Sequence, residues 1–168
     1  LDREKIIEIY KITSRSSDWK SAIDQVLNFT RQYFIFDNIA IYFGQTSTDR
    51  VDVIFARATG RGRSKEADVS WGENIANRVV CEKKLIQEEP ANKAPANRLL
   101  APYILGVPLF ISKALTGALV FVRFGGPPFE EGSLEFAEFL ADQITALVRR
   151  KSLDDLEVEL EKQRTYTA

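Results

Sequence analysis

The sequence predicts an α/β domain of the α+β type, in which amphipathic helices pack on an antiparallel sheet. The main indication is the stretch from Ile104 to Phe124, where two apolar segments of strand length are separated at Ser112-Lys113. Each segment is too short to cross a bilayer and is bounded by turn-forming residues, which is typical of a β-hairpin. Both segments are apolar on both faces. The hairpin should therefore lie in the middle of a sheet that is covered on two sides.

Two further segments have helical spacing and can cover that sheet. From Trp19 to Phe34 apolar residues recur every three or four positions, after Ser17 and Asp18, either of which can cap the helix. A second, long helix is predicted from Glu130 to about Arg164. Its apolar spacing changes register near Arg149 to Lys151, so we expect the first half to pack on the domain and the second to form a coiled coil. The leucines of that coiled coil, which need a second copy of the chain as partner, are Leu153, Leu156 and Leu160.

The other elements are shorter. We predict an N-terminal helix to Ile12, strands at Ile39–Phe43 and Arg50–Ala58, a short helix at Glu73–Cys81 opened by Trp71-Gly72, and an edge strand at Lys84–Gln87. A mobile basic loop is expected at Gly60–Lys65. Regular alternation along the second strand places four residues on one face, namely Val51, Val53, Phe55 and Arg57.

Composition excludes several classes of function. The 23 basic and 24 acidic residues nearly balance, so no overall field attracts nucleic acid or an anionic membrane. No apolar run approaches the length of a membrane span, so we expect no membrane contact. The single cysteine, Cys81, rules out an internal disulfide and fits a reducing, cytoplasmic compartment. Histidine is absent, which removes the commonest metal ligand, haem ligand and general base.

No catalytic constellation is apparent in the remaining residues. Neighbouring acids in Glu88-Glu89 and Glu130-Glu131 point in different directions, so neither pair forms a catalytic dyad. The basic segment at Gly60–Lys65 lacks the G-K-[ST] ending of a phosphate loop and is better explained as a solvated loop than as an anion site. Arg57 is open to two interpretations. It can face a ligand, an acid or the sheet edge, or it can reach solvent from the end of its strand.

Three phrases, in this order of elements, resemble a GAF domain. They are LGVPLF (Leu105 to Phe110), LTGALVFVRF (Leu115 to Phe124) and PFEEGSLEFAEFLADQITALVRR (Pro128 to Arg150). The resemblance implies a central antiparallel sheet of five to six strands, with helices on one face and with loops and a short helix closing a pocket on the other. It divides the chain into an N-terminal helix and linker (1–17), the GAF-like domain (18–150) and a coiled-coil signalling helix (151–168).

The resemblance also implies a function. GAF domains of this type are sensory or regulatory modules of bacterial signalling proteins, ahead of a histidine kinase, a cyclic-di-GMP enzyme or a transcriptional activator. We therefore expect a homodimer, a downstream output domain and an unidentified small-molecule ligand. The residues expected around the pocket are Tyr42, Phe43, Phe55, Arg57, Trp71, Ile75, Val79, Leu109 and Phe121. The alternative is a dimerisation scaffold whose own aromatic side chains fill the pocket.

Several specialised GAF activities are not supported by the residues present. Bilin-binding members place the attachment cysteine beside a histidine, and Cys81 has none, so we expect no covalently attached bilin and no haem. Members with methionine-sulfoxide reductase activity need several cysteines. Asn92-Lys93 lacks the distant Phe and Asp-Glu that accompany Asn-Lys in members that bind cyclic GMP.

Overall fold

The computed structural model describes residues 3–16, 18–30, 34–45, 50–58, 65–113 and 115–167. Four helices and five strands are present in that part of the chain. In order they are α1 (Arg3–Arg15), α2 (Trp19–Thr30), β1 (Asn38–Gln45), β2 (Val51–Ala58), α3 (Lys65–Glu82), β3 (Ile86–Glu88), β4 (Pro102–Phe110), β5 (Leu115–Phe124) and α4 (Glu131–Thr167), with a 3₁₀ turn at Arg98–Leu100 before β4. The predicted basic loop at 60–64 lies outside the described residues.

The five strands form one antiparallel sheet in the order β2-β1-β5-β4-β3. The predicted hairpin is confirmed, because β4 and β5 pair from Pro102 opposite Phe124 to Phe110 opposite Thr116. Its turn is closed by a backbone hydrogen bond from Ser112 to Leu115 (3.0 Å) and a side-chain bond in return (3.1 Å). Nearly every hairpin residue is buried, as expected for the centre of a sheet covered on both faces.

Helices cover the two faces unequally. One face, which we call the helical-layer face, packs against α1, α2 and α4, and the other, the α3 face, packs against α3. Sheet residues on the helical-layer face include Ile39, Ile41, Leu105, Val107, Leu119 and Phe121. Those on the α3 face include Ala40, Tyr42, Ile104, Ala118, Val120, Val122 and Phe124. The predicted antiparallel α+β architecture is therefore confirmed, with five strands.

Helix α3 is longer than predicted. It begins at Lys65 and continues through Trp71-Gly72, where the sequence predicted that the helix would start. Glycine is unfavourable inside a helix by about 1 kcal/mol, but here the glycine has a packing role. A Cβ at Gly72 would lie 2.7 Å from the Tyr42 hydroxyl and 3.0 Å from Val120 Cγ1. Gly72 therefore permits close approach of α3 to the sheet rather than ending the helix.

Strand β2 does not alternate regularly, which corrects the predicted pattern. The pairing with β1 shifts between Ile41, opposite Phe55, and Tyr42, opposite Val53, so Ile54 is the extra residue of a β-bulge. Val53 therefore shares the face of Tyr42, whereas Phe55 packs against the core of the helical-layer face. The predicted grouping of Val51, Val53, Phe55 and Arg57 on one face is wrong because of this bulge.

Helix α4 is continuous over 37 residues. Its first half packs on the domain through a stripe of buried residues that includes Leu147 and Val148, as predicted. Asp18 accepts hydrogen bonds from the backbone N–H groups of Lys20 (3.3 Å) and Ser21 (3.4 Å), which confirms it as the cap of α2. Among the helices described, none combines the length and the apolar character that crossing a membrane requires.

Candidate functional site

The nine residues predicted to surround one pocket lie on two faces of the sheet. Four lie on the α3 face or in α3 itself, namely Tyr42, Trp71, Ile75 and Val79. The other five belong to the helical-layer face, namely Phe43, Phe55, Arg57, Leu109 and Phe121. A single pocket therefore cannot contain all nine. Ligand binding by the four residues of the α3 face stays a prediction.

Arg57 has an acidic partner on the helical-layer face. Its guanidinium forms an ion pair with the carboxylate of Asp24 in α2, and both side chains are partly exposed. Of the interpretations left open by the sequence, the acid is the one that the structure shows. The pair fastens β2 to α2, and Arg57 is not available to a ligand on the α3 face.

Tyr42 is a buried polar side chain of the α3 face. It is 1% exposed, and its hydroxyl lies beneath the backbone of α3 at Gly72. Burial, and secondarily the negative charge of Glu73, raises the pKa of the Tyr42 hydroxyl well above its usual range. The hydroxyl is therefore neutral at physiological pH and can take part in hydrogen bonds without carrying charge.

The middle of the α3 face is closely packed. Ile75 and Val79 of α3 are fully buried and lie against Gly106 of β4. A Cβ at Gly106 would be only 2.7 Å from Val79 Cγ2 and 3.4 Å from Ile75 Cγ1. Helix and strand are thus in direct contact at this point, and a ligand would have to displace α3 to enter between them.

The end of the α3 face at Phe124, which we call the Phe124 end, is more open. The Trp71 ring meets the Phe124 ring edge-on, with centroids 5.6 Å apart, and Trp71 is 37% exposed. The buried carboxylate of Asp37 accepts a hydrogen bond from the Phe124 backbone N–H (2.8 Å). Arg98 of the 3₁₀ turn places Nη1 3.9 Å from the same carboxylate. An aromatic ring and a guanidinium–carboxylate pair therefore adjoin the same residue.

Asp37, Arg98 and Phe124 were not among the predicted site residues. Asp37 and Arg98 lie in segments that the sequence identified only as a turn and a loop, and they are far apart along the chain. The sequence signal that could have found Asp37 is an acid immediately before a buried strand. Its carboxylate accepts a hydrogen bond from the last backbone N–H group of the neighbouring strand, β5, which a turn residue does not usually do.

The helical-layer side carries a second candidate surface, between α1 and α4. A groove of about 560 Å³ lies between these helices and is bordered by Ile7, Tyr10, Ala146, Leu147 and Arg150, among others. Ile7 is 44% exposed and Tyr10 52% exposed, which is high for large apolar side chains on one helix face. The predicted dimer leucine Leu160 is also exposed. The side chains of Leu153 and Leu156 lie outside the described residues.

The remaining reactive side chains are dispersed. Cys81 is exposed near the end of α3, ten residues beyond Trp71. Glu88 forms an ion pair with Arg78 that fastens β3 to α3, and Glu131 begins α4. Within the described ranges, no three His, Cys, Asp or Glu side chains are grouped as a metal site would require.

Comparison with known proteins gives the family. The model of the GAF domain matches residues 18–148, which is most of the chain. The chain therefore belongs to the GAF domain family, a family of sensory and regulatory modules, as the sequence resemblance implied. No curated protein sequence matches the chain closely.

Solved structures share the fold at low sequence identity. The GAF domain of an Acinetobacter phosphoenolpyruvate-protein phosphotransferase superposes with a TM-score of 0.65 at 16% identity, covering 92% of this chain and 99% of that one. A free methionine-R-sulfoxide reductase of Neisseria meningitidis, in complex with its substrate, gives 0.63 at 15% identity, covering 89% and 90%. The phycocyanobilin-bound GAF domain of a cyanobacterial phytochrome gives 0.62 at 16% identity, covering 92% and 98%. At these identities the similarity establishes the fold alone.

Proposed function

We propose that this chain is a non-catalytic sensory module of a bacterial signal-transduction protein, in the cytoplasm, ahead of an output domain such as a histidine kinase. It binds a small ligand at the Phe124 end and relays occupancy through dimeric terminal helices. The observation that carries the proposal is that strand β4 contacts α3 on one face and α4 on the other. Helices α3 and α4 are therefore separated by a single layer of sheet, and a displacement of α3 has only that layer to cross before it reaches α4.

The chemistry of the Phe124 end favours a flat ligand with polar groups. The half-exposed Trp71 ring offers a surface for stacking, and aromatic side chains dominate small-molecule sites. Arg98 offers guanidinium donors beside the buried Asp37 carboxylate. Nucleotides, amino acids and tetrapyrroles all combine planar or carboxylate groups of this kind, so they form the first panel of ligands to test.

The proposal includes neither catalysis nor a covalent cofactor. The sequence contains no histidine and a single cysteine, whereas solved relatives of the fold include a methionine sulfoxide reductase and bilin-binding domains. Cys81 is about 15 Å along α3 from Trp71, counting 1.5 Å of rise per residue. Cys81 is therefore not one of the side chains that border the Phe124 end. We therefore propose reversible binding.

Dimerisation is supported by the apolar surface of α1 and by the length of α4. The exposed Ile7 and Tyr10 border the α1–α4 groove, and a second copy would cover them while pairing its own α4 with this one. An isolated helix that exposes leucines at coiled-coil spacing is marginal in water, so the part of α4 beyond the domain also needs a partner. A parallel homodimer satisfies both surfaces at once.

The second candidate function is a dimerisation scaffold that binds no ligand. The contacts of Gly72 with Tyr42 and of Gly106 with Val79 favour it, because they leave no space between the middle of α3 and the sheet. On this hypothesis the α3 face serves only as a core. The two functions share the dimer and differ only in whether the Phe124 end is occupied.

A thermal-shift screen with the panel above separates the two functions. A ligand at one hundred times its Kd stabilises the folded state by about 2.7 kcal/mol, which for a domain of this size raises Tm by about 5–10 °C. Trp71→Ala should remove the shift, because it removes the stacking surface. Phe110→Ala is the matched control. It also deletes a half-exposed aromatic ring, but one beside the turn of the central hairpin, at the end opposite Phe124.

The outcomes are distinct. A shift that Trp71→Ala removes and Phe110→Ala retains supports the sensor. A shift retained by Trp71→Ala places the ligand elsewhere and contradicts the proposed site. If no member of the panel shifts Tm and native mass spectrometry of protein from its own host shows the bare dimer mass, the scaffold is the better description. A monomer at micromolar concentration contradicts both.

A further inference from the structure

Two consecutive arginines connect α4 to different parts of the domain. Arg149 donates from Nη2 to the backbone oxygen of Phe110 (2.7 Å) and from Nε to that of Ile111 (3.1 Å). Arg150 donates from Nη1 to the backbone oxygen of Thr13 (3.0 Å). We call Arg149 and Arg150 the arginine pair. Neighbouring residues on one helix thus bind two other elements, the β4–β5 hairpin and α1.

Each of the accepting oxygens belongs to a defined structural position. Phe110 ends β4 and Ile111 follows it, directly before the hydrogen-bonded turn of the central hairpin. Thr13 lies in the last turn of α1, where backbone carbonyls have no partner within the helix and the helix dipole is negative. The planar fork of a guanidinium suits the two successive hairpin carbonyls, which a lysine ammonium could not bind with the same geometry.

The arginine pair lies between a buried part of α4 and an exposed part further along the helix. Leu147 and Val148, immediately before the pair, are buried. Further along, the described side chains from Leu160 to Gln163 are exposed. We call residues 151–167 the exit helix. The contacts made at positions 149 and 150 are therefore placed to influence the direction of the exit helix.

We infer that the arginine pair is a joint that fixes the direction of the exit helix against the central hairpin and α1. The joint gives a direct hydrogen-bonded connection from the hairpin, the centre of the sheet, to the exit helix. Its regulatory meaning rests on the proposed function, because a signal has to pass from the sheet to that helix. A displacement of the hairpin turn would move Arg149 and, with it, the start of the exit helix.

The test measures the direction of the exit helix within one chain. In the 168-residue chain carrying Cys81→Ser, nitroxide labels are attached at Lys113→Cys beside the hairpin turn and at Lys162→Cys in the exit helix. Pulsed electron paramagnetic resonance then gives the distribution of distances between them, with labelled chains diluted in unlabelled protein. Position 162 is about 20 Å of helix beyond Arg149, so a swing of about 15° moves the label by about 5 Å.

With the joint intact we expect one narrow distance distribution. Replacing both arginines, in Arg149→Gln/Arg150→Gln, should about double its width, because the helix then swings about the buried turn at Leu147 and Val148. The domain itself should stay folded, with an unchanged near-ultraviolet circular dichroism spectrum. Lys11→Gln is the matched control: it removes a positive charge beside the same groove and should leave the distribution narrow.

An unchanged width in Arg149→Gln/Arg150→Gln would overturn the inference, and so would equal broadening in Lys11→Gln, since charge alone would then explain the effect. The measurement requires neither a ligand nor a dimer. A monomeric or ligand-free protein would therefore refute the proposed function and leave the joint intact. Conversely, if the protein binds a ligand as a dimer but the distance distribution of Arg149→Gln/Arg150→Gln is as narrow as that of the parent chain, only the joint is refuted.

Discussion

Replacing Gly106 by alanine tests how closely α3 packs on the sheet. The added Cβ would lie 2.7 Å from Val79 Cγ2, well inside ordinary van der Waals contact, and Val79 is a β-branched side chain with little freedom to move. Either α3 or β4 must shift. The site is fully buried, so the cost cannot be relieved by moving a side chain into solvent.

The expected cost is that of overpacking a core, about 1–3 kcal/mol. Urea denaturation followed by circular dichroism measures it as a lower midpoint with an unchanged m-value. In thermal denaturation the same cost lowers Tm by about 2–12 °C for a chain of this length. Alanine has a slightly better strand propensity than glycine, so any loss of stability must come from the contact with α3.

Two comparisons isolate the contact. Gly132→Ala, in the first turn of α4, adds the same methyl group where nothing lies within 4 Å, and should stabilise the chain by up to about 1 kcal/mol through helix propensity. In a Val79→Ala background, Gly106→Ala should cost less than in the parent chain, with a coupling energy of about 0.5–3 kcal/mol. The reasoning is refuted if Gly106→Ala is as stable as the parent chain, or if its cost is the same with and without Val79.

Three other predictions concern single groups. Because burial raises the pKa of the Tyr42 hydroxyl, its contribution to the free energy of unfolding is fully present below pH 10 and is lost as pH rises further. In urea denaturation, the free energy of unfolding of the parent chain relative to Tyr42→Phe should therefore fall by about 1.4 kcal/mol between pH 9 and pH 11. A difference that stays constant over this range would contradict the buried hydroxyl. A double-mutant cycle on Arg57 and Asp24 should give a coupling of only about 0.2–1 kcal/mol, since both side chains are partly exposed; a value several times larger would mean that the pair is buried in solution. After incubation with phycocyanobilin and denaturing electrophoresis, the chain should show no more zinc-enhanced fluorescence than Cys81→Ser, and a fluorescent band that depends on Cys81 would contradict reversible binding.

The centre of the fold could be predicted from the sequence because its signals are local and strong. The segments on either side of Ser112-Lys113 are apolar on both faces, which few structures other than a central hairpin accommodate. The first half of α4 has a continuous apolar stripe, and the residues of that stripe are buried as expected. Because both faces of the hairpin are apolar, its sequence does not indicate which face of the sheet each residue occupies. Leu109 and Phe121 were therefore assigned to the wrong side.

The site was harder to predict because it depends on contacts between distant segments. The bulge at Ile54 places Phe55 and Arg57 on the face opposite Val51 and Val53, and the apolar run from Val53 to Ala56 does not indicate which residue is the extra one. Gly72 was predicted to open α3, whereas in the structure it lies within the helix and permits close contact with Tyr42. Asp37 and Arg98 approach each other only because β5 ends between them, at Phe124 and Gly125.

The most direct test of a sensor is the response of the exit helix to a ligand. In chains that carry Cys81→Ser and Leu160→Cys, a disulfide between two copies reports how closely their exit helices approach. We predict that the rate of this cross-link changes when the ligand found in the thermal-shift screen is added, and that the change is lost in Trp71→Ala. Identical cross-linking with and without that ligand would contradict the proposed relay from the α3 face to the exit helix.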